Sequence, residues 1–419
     1  MKIIQSYWSH PNRINEVNDP NGRHNGGWIQ RESSLFCWAL SVLKLRQFYD
    51  KVELVTDSDG WVELIRDVNL PYTNVSTELD RLQDVHPNLW SMGKLFAYSI
   101  QKEHFIHVDG DFIIWKEFPK EICNSDAVAQ NREVGYPYYY LIKDQIKDFH
   151  LLPPSLNNSP IISINAGIIG GKRIFLFDKL YQKASDFIRV NKGLFHTCNV
   201  GLLNIIVEQL LFHEICSDEK INISYLFNHM SDDFHECLQL NAVPRFAKYV
   251  HTIGSAKRDP LICLQIEHLL QIEFPQFHKK IIDYFLQLKG SSVTNSSLPK
   301  SVQLQRQQIF DNRLKWMGLG EEQYLSVRFH LSPTCRVSYN KEGILTLSYL
   351  CVFENKRKYL LLEGWTEIIA RFSEPLSIEE LICQFEEYPF KDNELKEIHK
   401  NIVNTLTIFM FYYNAISLV

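Results

Sequence analysis

The segment from 105 to 114, FIHVDGDFII, constrains the fold of this chain more than any other stretch. An apolar run leads into Asp109-Gly110-Asp111, and a second apolar run follows it. This pattern predicts a buried strand that ends in two carboxylates, because side chains two residues apart on an extended chain lie on one face. Two such carboxylates repel unless a cation lies between them, and a divalent ion shared with substrate phosphates is the usual arrangement. The alternative interpretation is a strand that ends in an ordinary acidic turn.

The composition indicates a soluble globular protein with a sizeable core and room for two domains. Of the 419 residues, 45% are hydrophobic and 22% are charged, and the formal net charge is −5. This mild acidity argues against nucleic acid as the main partner, because phosphate binding needs a basic surface. Nine scattered cysteines without a C-x-x-C pair predict reduced thiols in a cytoplasmic protein. We predict no transmembrane segment, because the most apolar tail, 403–419, is shorter than the roughly 20 residues that span a bilayer.

Strands and helices alternate along the first part of the chain. Strands are predicted at Ile3–Trp8, Val52–Thr56 and 105–108, with helices at Ser33–Tyr49, Trp61–Val68 and Leu89–Ile100. This order is typical of an α/β domain with a mostly parallel sheet. Ligands of such sheets bind at the carboxyl ends of strands, where Asp109 and Asp111 lie. The long polar loop Asn18–Gly27 is a candidate cover for such a site.

A second informative stretch runs from Ile161 to Gly171 and contains Asn165-Ala166-Gly167 at its middle. The flanking residues are rich in isoleucine and predict a strand. Small side chains at its middle predict that another group lies flat against the backbone, and the Asn165 amide can both donate and accept a hydrogen bond. A core strand with a bulge remains the alternative interpretation.

The third stretch, Tyr249 to Lys257, has the pattern H-x-x-G-x-x-K, formed by His251, Gly254 and Lys257. A histidine or a lysine alone is usually a structural or surface residue. In this combination a neutral imidazole can be a third metal ligand, the glycine lets backbone N–H groups approach a phosphate, and the lysine neutralises its charge.

These stretches, in this order, resemble the metal-dependent GT-A glycosyltransferases, and most closely glycosyltransferase family 8, the glycogenin-like group. The matching residues are Lys94-Leu95, Asp109-Gly110-Asp111, Asn165-Ala166-Gly167, Glu208-Gln209, His251, Gly254 and Lys257. The resemblance covers roughly residues 1 to 260. It implies a Rossmann-like fold with a mixed, mostly parallel sheet flanked by helices.

The resemblance also implies a role for each matching residue. Asp109, Asp111 and His251 would bind Mn²⁺ (or Mg²⁺) against the diphosphate of a nucleotide sugar, expected to be a UDP-sugar. The residues expected to contact this nucleotide sugar are Lys94, Asp109, Ala166, Gly167, Gly254 and Lys257. The residues expected near the reacting sugar carbon are Glu208, Gln209 and Asn165. Because the family retains the anomeric configuration, we expect retention here.

The chain departs from the family pattern at three places. The N-terminal strand, with Ser6-Tyr7-Trp8 and the long loop after it, does not match the family's usual opening closely. Arg258-Asp259-Pro260 follows the lysine where the family usually has Pro-Trp, and Glu208 stands where an aspartate is usual. Base and sugar specificity therefore stay open. Two other functions also stay open: a metal-dependent phosphoesterase that uses His107, Asp109 and Asp111, and an inactive GT-A fold that serves as a binding scaffold.

The C-terminal part of the chain is predicted to form a separate small domain. We expect the first domain to span 1–288, a Gly/Ser-rich linker 289–303, and the second domain 304–419. Strands followed by three helices in the last segment resemble the winged-helix peptide-binding domain of the PqqD type, an α+β fold. That resemblance implies a ribosomally made precursor peptide as acceptor, bound as an extra strand. The alternatives are a generic winged-helix or dimerisation appendage and, as acceptor, a cell-surface glycan.

Overall fold

The computed structural model of this chain describes residues 1–14, 24–289, 299–320, 323–339, 341, 345–350, 357–360, 365–384 and 392–418. These residues form two compact units. The first contains Met1–Leu238 and Tyr249–Phe285, and the second contains Gln239–Lys248 and Leu286–Val419. The short segment Gln239–Lys248 therefore leaves the first unit and returns to it at Tyr249.

The first unit is built on a seven-stranded sheet. The strands of this unit are β1 Lys2–Tyr7, β2 Lys51–Thr56, β3 Asn74–Ser76, β4 Phe105–Val108, β5 Phe112–Ile114, β6 Ala127–Val134, β7 Ile162–Gly171, β8 Ile223–Tyr225 and β9 Tyr249–His251. Seven of them form one sheet in the order β3-β2-β1-β4-β7-β6-β8. Strands β3, β2, β1 and β4 are parallel, as are β6 and β8, whereas β7 is antiparallel to both of its neighbours. The predicted α/β class with a mixed, mostly parallel sheet is confirmed.

Helices flank this sheet, and several are buried on most of their faces. The α-helices are α1 His10–Ile14, α2 Arg31–Phe48, α3 Ser58–Trp61, α4 Ser91–Ser99, α5 Lys120–Cys123, α6 Pro137–Gln145, α7 Phe175–Asn191, α8 Leu211–Asp218, α9 Pro260–Glu273 and α10 Pro275–Lys289. Val62–Asp67 and Ile205–Leu210 are π-helical turns that continue α3 and precede α8. All four residues of β4 are buried, as expected for a central strand covered on both faces.

A two-stranded antiparallel sheet brings distant parts of the first unit together. Strand β5 pairs with β9, and Phe112 lies opposite His251. The backbone N–H of Thr252 extends this pairing by donating to the carbonyl of Asp111, at 3.0 Å. The D-x-D turn, which immediately precedes β5, is thereby fixed beside the H-x-x-G-x-x-K segment.

The second unit contains helices and two small antiparallel sheets. Its helices are α11 Lys300–Gly318, α12 Trp365–Ala370, α13 Ile378–Cys383 and α14 Asp392–Phe411, and its strands are β10 Arg328–Leu331, β11 Arg336–Tyr339, β12 Leu345–Leu350, β13 Arg357–Leu360, β14 Leu376–Ser377 and β15 Ile416–Leu418. The sheets have the orders β14-β10-β15 and β11-β12-β13. Ser377 and Glu380 form a capping box at the start of α13.

Some sequence predictions fall outside the described residues. Residues 15–23 of the predicted cover loop and residues 290–298 of the predicted linker belong to this group, while helix α11 begins at Lys300. One helical stretch, Val200–Asp218, is long and apolar enough to cross a membrane, but 67% of it is buried inside the unit. The same length and composition are common in core helices. All eight described cysteines are free.

Candidate metal centre

A cavity of about 660 Å³ opens at the carboxyl ends of β1 and β4. Every residue that the sequence predicted for the site lines it: Lys94, Asp109, Asp111, Asn165, Ala166, Gly167, Glu208, Gln209, His251, Gly254 and Lys257. These residues come from helices, strands and turns that are far apart in the sequence. The fold therefore brings all of them to one cavity, while their individual roles remain predictions.

Asp109, Asp111 and His251 form the cluster expected of a metal centre. One ligand atom from each residue lies within 4.8 Å of the other two. Backbone hydrogen bonds fix both aspartates. Asp109 N–H donates to the carbonyl of Gly167 at 2.9 Å, and the carbonyl of Asp111 accepts from Thr252 N–H at 3.0 Å. The turn between β4 and β5 is thus held against the middle of β7.

The imidazole of His251 is oriented by Gln130, a fully buried residue of β6. Nδ1 of His251 lies 2.6 Å from Oε1 of Gln130. An amide oxygen accepts and does not donate, so the proton of a neutral imidazole resides on Nδ1 and the lone pair on Nε2. Nε2 lies 3.3 Å from Oδ1 of Asp111. This tautomer is the one that a metal ligand needs at that position.

The small residue Gly167 makes this arrangement sterically feasible. A Cβ atom at Gly167 would lie 2.1 Å from Oε1 of Gln130 and 2.5 Å from Nδ1 of His251. The group that lies against this part of β7 is therefore the Gln130–His251 pair. The bulge considered for this strand is present too, because the pairing shifts from Ala129 opposite Ile169 to Asn131 opposite Asn165 and leaves the extra residues on β7.

The donor set fits a hard or borderline divalent ion. Two carboxylates and one imidazole suit Mg²⁺ or Mn²⁺. Ligand atoms bound at about 2.1 Å to one ion lie no more than about 4.2 Å apart. The observed spread of 4.8 Å therefore requires only a small movement of the side chains.

On one side of the cluster, Asp109 belongs to a dense polar network. Nζ of Lys94 lies 2.9 Å from Oδ1 of Asp109 and 2.8 Å from Oε1 of Glu208. The hydroxyl of Tyr98 donates to the same Glu208 oxygen at 2.9 Å. We call Asp109, Lys94, Glu208 and Tyr98 the Asp109 network. Lys94 bridges two carboxylates in it.

Burial and charge set the protonation of this network. Burial by itself lowers the pKa of Lys94, but attraction to Asp109 and Glu208 outweighs it, and the net pKa is raised. Burial raises the pKa of Glu208, and Lys94 opposes this rise. Lys94 therefore remains an ammonium group that neutralises part of the negative charge beside the metal cluster.

On the other side, Asp111 has a simpler environment. Its second carboxylate oxygen pairs with Nζ of Lys257, and His251 lies at the first. Burial opposes ionisation of Asp111, but the ammonium group of Lys257 holds its pKa well below the usual range. We call Asp111, His251 and Lys257 the Asp111 group.

Gly254 shapes the open space next to Lys257. Its φ of +60° is left-handed, and a Cβ built on it would meet no atom within 4 Å. A short 3₁₀ turn, Gly254–Arg258, starts there and carries Lys257. The cavity wall at Gly254 is therefore open backbone, and Lys257 of the same turn lines the same cavity, a combination that suits an anion.

Asn165 and Gln209 are connected beneath the cavity by two buried residues. Nδ2 of Asn165 donates to Oε1 of Glu133 at 2.9 Å. The hydroxyl of Tyr139 lies 2.7 Å from Oε2 of Glu133 and 3.0 Å from Oε1 of Gln209. Burial raises the pKa of Glu133 to about 7. The Tyr139 hydroxyl is the donor in both contacts, so its one proton is shared between Glu133 and Gln209.

His107 has a structural position rather than a ligand position. It is 1% exposed, and its Nε2 lies 2.9 Å from the hydroxyl of Ser6. Burial, reinforced by Lys94, lowers its pKa well below the usual value, so it is neutral. Among the described residues, the metal-ligand cluster contains His251 and not His107. Nδ1 of His107 lies 3.6 Å from Oδ1 of Asp109, and the phosphoesterase hypothesis stays a prediction to be tested.

Two kinds of site residue were missed by the sequence motifs. Gln130 lies in a strand, AVAQNREV, in which Gln130, Asn131 and Glu133 are polar yet fully buried. This run of polar residues between apolar strand residues was a usable signal. The four cavity-lining tryptophans come from separate elements with no common spacing: Trp8, Trp28, Trp38 and Trp90.

Two solved structures are similar to parts of this chain. Mouse xyloside xylosyltransferase 1, in its apo form, has 9% sequence identity, and the match covers 54% of this chain and 84% of that one, with a TM-score of 0.27. The inositol-1-phosphate CTP transferase from T. maritima has 10% identity, and the match covers 67% of this chain and 95% of that one, also with a TM-score of 0.27. Both are transferases, but similarity this low carries no functional argument.

Curated proteins give no match to this chain. One family model does match, over residues 1–284, which is most of the first unit and more than half of the whole chain. The matched range contains the cavity and every residue of the metal-ligand cluster. The chain belongs to DUF6734, a family of unknown function.

Proposed function

We propose that this protein is a metal-dependent glycosyltransferase that uses a nucleotide diphosphate sugar, expected to be a UDP-sugar. One observation carries the proposal. Asp109, Asp111 and His251 converge beside Lys257 and the open turn at Gly254, in a cavity at the carboxyl end of the sheet. A divalent ion next to a lysine and exposed backbone is the arrangement that binding and expelling a diphosphate requires.

The chemistry follows from the leaving group. Cleavage of the bond between the anomeric carbon and the diphosphate oxygen leaves the electron pair on the diphosphate. An ion bound by Asp109, Asp111 and His251 supplies Lewis-acid stabilisation of that charge. Lys257 adds a second positive charge on the same side of the cavity. The acceptor oxygen bonds to the anomeric carbon, and its proton passes to the departing diphosphate.

Other cavity residues suit binding and orientation of the sugar. Asn165, Glu208 and Gln209 line the cavity, and each is hydrogen-bonded to a buried side chain. Such fixed polar groups orient a sugar without further ordering. The family resemblance favours retention of the anomeric configuration, which NMR spectroscopy of the product tests directly.

We infer a peptide acceptor from the sequence pattern of the second unit. The β11-β12-β13 sheet is antiparallel and is followed in the chain by α12, α13 and α14, the order of the peptide-binding domain it resembles. A bound precursor peptide would then extend a sheet of this unit. A cell-surface glycan is the other acceptor to test, and a sugar-transfer assay with both acceptor classes separates them.

The test is a panel of UDP- and GDP-sugars incubated with the full-length protein, with and without Mn²⁺. We expect one donor to bind and to be hydrolysed slowly when Mn²⁺ is present and not when it is chelated. A parallel assay with p-nitrophenyl phosphate covers the phosphoesterase alternative. Phosphate release there, with no donor bound under any metal condition, would overturn the transferase proposal.

A further inference from the structure

The two aspartates of the metal cluster have different internal counter-ions. Lys94 pairs with Asp109 and also with Glu208. Lys257 pairs with Asp111, and the ion pairs found among the described residues give it no second carboxylate. When a cation binds Asp109, Lys94 still pairs with Glu208. When a cation binds Asp111, Lys257 loses its carboxylate partner.

Lys257 is also too buried to lose its partner without cost. The residue is 7% exposed, and its ammonium group lies 5.9 Å from the ring centre of Trp28. The backbone holds the lysine in place as well, because Ile29 N–H donates to its carbonyl at 3.1 Å. An isolated buried charge is unfavourable, so Lys257 needs a replacement anion whenever Asp111 binds a metal.

The space for that anion lies within the same turn. Gly254 begins the turn that carries Lys257, and the volume beside its Cα contains no atom within 4 Å of a built Cβ. A diphosphate placed there would contact the same short 3₁₀ turn that carries Lys257. The empty cavity therefore offers Lys257 one internal anion, Asp111, and space for one external anion.

We infer that Lys257 is a counter-ion switch that couples metal binding to diphosphate binding. In the empty site Lys257 neutralises Asp111 and competes with a divalent ion for it. A diphosphate attracts Lys257 away, and Asp111 then becomes available to the metal. This inference rests on the proposed function and adds an order to it: metal and nucleotide bind together, and the metal binds weakly alone. Coupling of this kind is reciprocal, so each ligand raises the affinity of the other.

The experiment measures Mn²⁺ affinity of the full-length protein from the EPR signal of the free ion, with and without UDP. The variants are Lys257→Met and, as matched control, Arg258→Met. Arg258 is exposed, lines the same cavity and carries the same charge one residue further along. We expect Lys257→Met to bind Mn²⁺ alone about tenfold or more tightly than wild type. Arg258→Met should change this affinity by less than about threefold, because exposed charges are screened.

A second result is expected from the same titrations. UDP should raise the Mn²⁺ affinity of wild type and Arg258→Met strongly, and that of Lys257→Met much less. If Lys257→Met folds poorly, Lys257→Gln removes the charge, keeps a hydrogen-bond donor for Asp111 and carries the same expectation.

The outcomes separate this inference from the proposed function. The counter-ion switch is overturned if wild type and Lys257→Met bind Mn²⁺ alone with equal affinity, or if Lys257→Met and Arg258→Met gain equal Mn²⁺ affinity from UDP. The transferase proposal stands in either case as long as UDP raises Mn²⁺ binding by wild type. Absence of Mn²⁺ binding by every protein, with and without UDP, overturns both.

Discussion

The Asp109 network and the Asp111 group face the same candidate metal but are built differently. Asp109 shares Lys94 with Glu208, and Tyr98 adds a third hydrogen-bonding partner to this network. Asp111 has Lys257 and His251, and open space follows at Gly254. Lys94 keeps a carboxylate partner, Glu208, when a metal ion binds Asp109. Lys257 needs a new anionic partner when a metal ion binds Asp111. The proposal therefore assigns a fixed role in metal binding to the Asp109 network and a ligand-dependent role to the Asp111 group.

The largest expected effect comes from removing the charge of Asp111. Asp111→Asn replaces an anionic ligand by a neutral amide, so Mn²⁺-dependent donor hydrolysis should fall by about 100-fold or more. Donor hydrolysis with Mn²⁺ measures this loss. Asp84→Asn, at an exposed position, is the matched control and should retain wild-type rates. Wild-type hydrolysis by Asp111→Asn would contradict the metal assignment.

Substitution of the two lysines tests the difference between the two sides. Lys94→Met leaves Asp109 and Glu208 unneutralised in a buried environment, and it should lower the free energy of unfolding by about 3–5 kcal/mol. Lys257→Met should lower it less, and added Mn²⁺ should restore much of that loss by replacing the missing charge at Asp111. Urea unfolding with and without Mn²⁺ measures both changes.

The exposed residue Lys102 provides the control for these lysine variants. Lys102→Met should change the free energy of unfolding by less than about 0.5 kcal/mol. Equal losses for Lys94→Met and Lys257→Met, restored equally by Mn²⁺, would remove the proposed difference between the Asp109 network and the Asp111 group.

A pH experiment extends the comparison to the polar pair beneath Asn165. Burial raises the pKa of Glu133 from 4.5 to about 7. Between these values the folded protein keeps a proton that the unfolded chain has released, so this group lowers stability as pH rises. Glu133→Gln cannot titrate at this position. Between pH 5 and pH 8 the free energy of unfolding of wild type should therefore fall by about 1–3 kcal/mol more than that of Glu133→Gln.

Urea unfolding of wild type and Glu133→Gln at both pH values measures this difference, and the remaining groups contribute equally to both proteins. Identical pH dependence in the two proteins would show that Glu133 is already ionised in the folded state.

The smallest expected effect concerns the open turn of the Asp111 group. Gly254→Ala places a Cβ on a residue with φ of +60°, which should lower the free energy of unfolding by about 1 kcal/mol. The methyl group also enters the proposed diphosphate space and should weaken UDP binding several-fold. Isothermal titration with UDP and Mn²⁺ measures this affinity.

Gly193→Ala is the matched control for this change. Gly193 also has no atom within 4 Å of a built Cβ, but its φ lies outside the left-handed range. We expect no loss of stability and no change in UDP binding. Equal effects of the two alanines would indicate that the backbone of Gly254 has no special role.

The motifs predicted which residues share the cavity because each one combines a local backbone requirement with a chemical one. An aspartate pair after a buried strand and a glycine three residues after a histidine are visible in any sequence window. The counter-ions were not visible in this way. Whether Lys257 contacts Asp111 or a ligand depends on tertiary placement through the β5–β9 pairing. The spacing of residues in the sequence does not predict that β5 pairs with β9.

The fold shows the same limit. The alternation of strands and helices predicted a mostly parallel sheet, yet it did not predict that β7 runs antiparallel between β4 and β6. The segment Gln239–Lys248 was not predicted to join the second unit. Both features depend on contacts between residues that are distant in sequence, for which local periodicity provides no signal.

The most direct measurement is anomalous diffraction from crystals of this protein grown with UDP and Mn²⁺. The account predicts one strong peak within about 2 to 2.5 Å of a carboxylate oxygen of Asp109, a carboxylate oxygen of Asp111 and Nε2 of His251. In the same crystals Nζ of Lys257 should contact the diphosphate rather than Asp111. Ordered Mn²⁺ elsewhere, with Asp109 and Asp111 still paired to their lysines, would contradict the metal centre on which the proposed function depends.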